Sequence, residues 1–73
     1  MNLRDAEEGK EYIVRAINVD DDELVSFLFS LGCYSGEPVT VISHSRSGSV
    51  VSIKDSRYSL DRFLCELIAI EEK

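Results

Sequence analysis

The sequence predicts a mainly β fold with one or two short helices, built as a single small domain over residues 1–73. Three observations predict it. Apolar and polar residues alternate in several short runs, which is the period of strands. One run, from Asp20 to Leu31, has helical spacing instead. Glycine- and serine-rich turns separate the runs at short intervals, as in small antiparallel β folds. With 73 residues and 44% apolar content, the chain can build one core and is too short for a second. A chain of this size buries only about 60–65% of the surface it exposes when unfolded. That leaves little spare stability for a strained active site.

Residues 1–10 set Leu3, Ala6 and Gly9 at three-residue spacing among charges. They read as a short lead-in or helical turn ending at Gly9, with Leu3 as its anchor. Glu11 to Val19 reads as a strand. Tyr12, Val14 and Ala16 share one face; Ile13, Arg15 and Ile17 share the other. Asp20-Asp21-Asp22-Glu23 then opens a helix. Any of the three aspartates can cap it, and Asp20 with Glu23 has capping-box spacing. Four carboxylates also suit the positive end of the helix dipole. The rival reading, a metal-binding acidic cluster, lacks the glycine of a Ca²⁺ loop and a second acidic cluster.

The helix Leu24–Leu31 carries more apolar surface than one face needs. Leu24, Phe27, Leu28 and Leu31 make a stripe for the core. Val25 and Phe29 form a second pair, displaced around the helix, and Ser26 and Ser30 mark the outer face. The bland reading packs Val25 and Phe29 under the N-terminal segment near Leu3. The functional reading makes them a partner-binding patch together with Tyr34.

The helix runs into Leu31-Gly32-Cys33-Tyr34-Ser35-Gly36, a structural corner. Leu31 is the last apolar residue of the helix. Gly32 ends it in a left-handed conformation that a Cβ would penalise. Gly36 aims the next strand. Pro38 stands at a strand entrance, where its missing N–H is tolerated. Val39, Val41 and Ser43 alternate with Thr40, Ile42 and His44. Ser45 to Gly48 is a hairpin turn, and Ser49 to Lys54 returns with Val51 and Ile53 on one face. Asp55-Ser56-Arg57 is a second turn, and Tyr58-Ser59-Leu60 is short and extended. Asp61 to Cys65 makes one helical turn capped by Asp61. Glu66 to Glu71 closes the chain, with Leu67, Ala69 and Glu71 alternating with Ile68 and Ile70. Such a set is too small for a sandwich. It suits a small SH3-like five-stranded barrel with a helix closing one end.

Charge narrows the function. Fourteen acidic and eight basic residues give a net charge of −6. That sign opposes binding to nucleic acid and to an anionic membrane surface. Arg46, Lys54, Arg57 and Arg62 are scattered and form no basic run. No signal peptide and no apolar run of about 20 residues is present. These features predict a cytoplasmic protein, without membrane insertion, whose two cysteines are thiols.

No catalytic pattern appears. His44 is the only histidine and reads as a surface residue beside a polar turn. Gly-x-Ser-x-Gly, P-loop and Gly-x-Gly-x-x-Gly patterns are absent. Cys33, Cys65, His44 and an aspartate would make a sufficient zinc set, but the cysteines lack paired spacing. Both lie among apolar neighbours and read as small buried hydrophobes. Tyr12, Tyr34 and Tyr58 are not interleaved with basic residues. They read as edge and core-rim tyrosines rather than a stacking platform for bases.

With these residues in view, the chain resembles the FeoA family of small ferrous-iron-transport accessory proteins. Leu3-x-x-Ala6-x-x-Gly9 is similar to that family's opening, and Leu28-x-x-Leu31-Gly32 to its helix-to-turn signature. Gly36 matches the second glycine, and Ser59-Leu60 with Cys65-x-x-Ile68-x-Ile70 resembles the closing strand. Cys33 stands where the family usually has a large aliphatic residue, and Cys65 where it usually has alanine. Ser35 replaces a common proline, Gly48-Ser49-Val50 a common Gly-Asp-Pro, and Phe27 a common basic residue. The resemblance implies an SH3-like fold without catalysis. It also implies a cytoplasmic partner, the GTP-binding domain of the ferrous iron transporter FeoB. The same domain type forms the C-terminal module of some metal-dependent repressors, so a metal-sensing or regulatory domain is the alternative. Neither catalytic residues nor a cofactor is expected. Weak Fe²⁺ or Zn²⁺ binding and self-association stay open at this point.

Overall fold

The structure, a computed structural model, describes residues 1–73. A 3-10 turn, Leu3–Asp5, precedes β1 (Glu11–Ile17), α1 (Asp22–Leu31), β2 (Pro38–His44), β3 (Gly48–Ile53), β4 (Ser56–Asp61), α2 (Arg62–Leu67) and β5 (Ile68–Glu72). The strands form one antiparallel sheet in the order β4-β3-β2-β1-β5. The short helix α2 links the two edge strands. The result is the mainly β, SH3-like arrangement the sequence predicts.

Alternation in the sequence becomes burial in the sheet. Tyr12 and Val14 of β1, Val39 and Val41 of β2, and Val51 and Ile53 of β3 all point into one core. Leu3, from the 3-10 turn, is fully buried and closes the core from the N-terminal side. The turn is held by a capping box that the sequence reading did not register. The Arg4 N–H donates to Asn2 Oδ1 (2.8 Å), and the Asn2 N–H donates to Asp5 Oδ2 (2.8 Å). Register shifts between Val14 and Ala16, and between Val41 and Ser43, interrupt the ladders. Beyond the second shift, Ser43 is exposed rather than sharing the inward face of Val39 and Val41. An extra residue in one strand reverses the facing of all that follow it.

Of the three candidate aspartates, Asp21 caps α1: its carboxylate accepts from the N–H groups of Glu23 (3.1 Å) and Leu24 (3.2 Å). Three local expectations need correction. The turn between β3 and β4 is Lys54-Asp55, both at positive φ (48° and 66°), so Ser56 and Arg57 belong to β4. Phe27 does not face the core; it is 48% exposed. His44 is half-buried and engaged rather than a free surface side chain. Its Nε2–H donates to the Ala6 carbonyl (2.8 Å), so in the neutral ring Nδ1 accepts from the Ser49 hydroxyl (2.7 Å). The Arg4 guanidinium reaches the same place, donating to the Gly48 carbonyl (2.7 Å) and Ser49 Oγ (3.1 Å). The histidine thus ties the N-terminal segment to the β2–β3 hairpin.

Cys33 and Cys65 are buried free thiols in the main core. Burial, with a smaller contribution from the nearby Cys65, pushes the Cys33 thiol from 9.0 up to about 11. Gly48 marks the tightest backbone approach. A Cβ there would drive into the Leu60 carbonyl oxygen and lie 2.9 Å from the Asp61 Cα. Gly36 has φ +92° but open space around it.

These features set two expectations. Gly48→Ala should lower the melting temperature more than Gly36→Ala. The first substitution must push backbone apart, whereas the second costs only about 1 kcal/mol of left-handed strain; equal shifts in thermal melts would contradict the close approach. The folded chain also holds the Cys33 proton to higher pH than the unfolded chain does. Stability from this group is therefore complete below pH 9 and declines as pH rises from 9.0 towards about 11. Melts across that range should show the decline, and Cys33→Ala should flatten it.

Candidate partner-docking site

The site begins at the end of α1. Gly32 takes the left-handed conformation (φ 93°). Its N–H donates to the Phe29 carbonyl (2.9 Å), and the Cys33 N–H donates to the Leu28 carbonyl (2.9 Å). These are the two bonds of a Schellman ending, and Leu28 and Cys33 supply its buried apolar pair. The chain is then bonded to β1. The Gly36 N–H donates to the Val14 carbonyl (2.8 Å), and the Val14 N–H donates to the Glu37 carbonyl (2.9 Å). Leu31, Gly32 and Gly36 therefore form the corner their spacing predicts, and it fixes where Tyr34 sits.

The rest of α1 has little support. Leu28 is its only fully buried residue. Leu31 packs partly against the core. Val25 is 36% exposed and Phe29 is 61% exposed, so neither packs under the N-terminal segment. Residues separated by three or four positions share a helix face. Val25 and Phe29 therefore lie on one flank of the Leu28 line, and Phe27 lies on the other. Phe29 stacks on Tyr34, with ring centroids 4.5 Å apart and planes 26° apart. The structure thus joins Phe29 to Tyr34 across the corner and places Val25 one helical turn before Phe29.

Charge is arranged along this flank. Lys54 pairs with Glu37, and its Nζ lies 5.6 Å from the centre of the Tyr34 ring. The Glu37 carboxylate first, then its charge more broadly, raises the Lys54 pKa. At the opposite end stand Asp20, Asp21, Asp22 and Glu23, none of which takes part in an ion pair. Asp21 is used as the cap. Asp22 precedes Val25 by three residues and Phe29 by seven, so all three share one stripe.

A third exposed aromatic escapes a reading by sequence order. Phe63 on α2 is 62% exposed. The signal was present: Cys65 faces the core, and a residue two positions away lies on the far side of a helix. The concave features lie elsewhere. A shallow cleft of about 390 Å³ is lined by Ser43, Ser45, Ser47, Ser49, Ser59 and Asp61 among others. No three His, Cys, Asp or Glu side chains converge in a way that could hold a metal ion. The residues weighed as a zinc set are occupied otherwise: both thiols lie in the core, and His44 spends both ring nitrogens on Ser49 and Ala6. No helix is long and apolar enough to cross a membrane.

Comparison with known proteins gives the family. The FeoA domain family matches residues 1–72. No curated protein matches the chain by sequence. Iron(II) transport protein A from Clostridium thermocellum is similar in structure, with a TM-score of 0.88 at 22% identity over 99% of this chain. FeoA of Stenotrophomonas maltophilia, a prokaryotic SH3 domain protein complexed with zinc, has a TM-score of 0.84 at 17% identity over 97% of this chain. ScaR with bound Cd²⁺, a manganese-activated repressor, has a TM-score of 0.86 at 17% identity over 100% of this chain. The chain spans 45% of the Clostridium protein, 89% of the Stenotrophomonas protein and 35% of ScaR. At these identities the structural likenesses establish the fold. The family match runs from the capped 3-10 turn through the glycine corner to the last strand, and the chain belongs to the FeoA domain family, with the SH3-like fold of its structural neighbours.

Proposed function

We propose that this chain is a non-enzymatic binding module of ferrous iron uptake. It docks in the cytoplasm on the GTP-binding domain of a FeoB-like transporter. One observation carries the reading: the aromatic stack of Phe29 on Tyr34, with Val25 beside it, is held at the glycine corner on the flank of α1 that the barrel does not cover. Exposed aromatics fixed in place are what protein interfaces use as anchors, since they bury much area with little loss of side-chain freedom. Burying the remainder of one phenylalanine contributes about 1–2 kcal/mol.

The rest of the molecule agrees with a binding role. The one hydroxyl–imidazole contact, Ser49 with His44, is structural: Ser49 is buried, and the imidazole holds the N-terminal segment through the Ala6 carbonyl. The family is one of small SH3-like accessory domains rather than of enzymes. Iron in this reading is the cargo of the transporter and not a ligand of the module.

The likeness to ScaR favours a second reading, a metal-sensing or regulatory domain. The two readings separate in one titration. Tight Fe²⁺ or Zn²⁺ binding by the isolated chain supports the second. Binding of the transporter's cytoplasmic domain without added metal supports the first.

Phe29→Asp should weaken binding to that cytoplasmic domain at least tenfold, read by calorimetry, while thermal melts stay near the parent because Phe29 lies mostly outside the core. Unchanged binding by a folded variant removes Phe29 from the interface and the reading with it.

A further inference from the structure

We propose that the α1 stripe selects a basic amphipathic segment of its partner: apolar anchors that cover Val25, Phe29 and Tyr34, with a Lys or Arg placed against Asp22. This rests on the docking role above and adds the chemistry and direction of the occupant.

The stripe has a polarity. Asp22, Val25 and Phe29 follow one another at three- and four-residue steps along a single exposed face. Tyr34 extends that face past the corner. The α1 segment itself contains no basic residue. The Asp22 carboxylate makes neither an ion pair nor a side-chain hydrogen bond. Asp20 and Glu23 beside it are likewise unpaired, so the acidic end of the stripe is uncompensated. At the other end Lys54 is neutralised by Glu37. A docked segment therefore gains from a cation at the Asp22 end only, which sets its direction along the helix.

The same bookkeeping of charge argues against a second copy of this chain as the occupant. Antiparallel packing of two α1 helices would set Asp22 of one against the corner of the other. The cation there, Lys54, already holds Glu37. Parallel packing would bring two acidic helix starts together. Lys10, Arg62 and Lys73 are also engaged, with Glu72, Glu66 and Glu11. The cations that remain without a carboxylate partner, Arg4, Arg15, Arg46 and Arg57, lie in the N-terminal turn, on strands or in the hairpin turn, and none is on α1 itself.

Two synthetic amphipathic peptides test this, one of alternating Leu and Lys character and one with each Lys replaced by Glu. Fluorescence anisotropy with the full chain should show the Lys peptide bound at least tenfold more tightly, with the difference shrinking at high salt. Asp22→Lys should weaken the Lys peptide about fivefold. Glu71→Lys, the same charge change on β5, should leave it within about twofold if the effect is local rather than one of net charge. Phe29→Ala should weaken both peptides. Equal binding of the two peptides, equal effects of Asp22→Lys and Glu71→Lys, or sedimentation showing that the chain dimerises through Phe29 would each overturn the proposal. If Phe29→Asp abolishes transporter binding while Asp22→Lys leaves both transporter and peptide binding intact, the docking role stands and the basic-segment inference fails.

Discussion

Two backbone hydrogen bonds organise this molecule. Gly36 donates to Val14, and Val14 donates to Glu37. They extend the β1–β2 ladder backwards into the loop that ends α1. A loop bonded to the sheet cannot drift, so the end of the helix cannot either. Gly32 and Gly36, both at positive φ, let the chain turn twice within five residues to reach that position. Leu28 and Cys33 then seal the inner side. The placement of Phe29 against Tyr34 follows from these constraints.

The other end of α1 is governed by what the core lacks. A 73-residue chain has few apolar residues to spend, and this one spends them mainly on the sheet, the 3-10 turn and α2. The sheet's inner face is filled by side chains from all five strands together with Leu3 and Cys65. Leu28 occupies the place left for the helix. A wider helix footprint would need a broader sheet than five short strands provide. The surplus on Val25, Phe27 and Phe29 is therefore a result of proportion: the helix carries apolar residues on three sides, and the barrel covers one.

Much of this was legible in the residues, and the failures are instructive. Alternation located the strands, and the glycine pair located the corner, because both signals are local and depend on backbone geometry. Three successive aspartates could not reveal which one caps, since each has the chemistry and only the chain's entry angle decides. The Lys54-Asp55 turn was misplaced by one residue because no glycine marks its two left-handed positions. His44 was misread because a register shift after Val41 turns the end of β2 towards the N-terminal segment, and register shifts leave no period of their own. Periodicity showed that Phe27 and Phe29 sit on different faces of α1. It could not show how much of either face the barrel would reach, which is a property of the assembled fold.

The N-terminal residues add a mechanical consequence. The Ile70 N–H donates to the Met1 carbonyl (3.0 Å), and Asn2 bridges Ala69, so the first residues lie along the outer side of β5. On its inner side, β5 pairs with β1 over Tyr12 to Ile17. Residues 1–2 and 68–72 therefore share one margin of the sheet. Tension applied between them would act across the hydrogen bonds of β5 and open them one after another, as a zipper opens, instead of shearing the ladder all at once. The glycine corner is bonded to β1, one strand in from that margin. A tug on the chain's ends would strip β5 first and reach next the strand that holds the docking face.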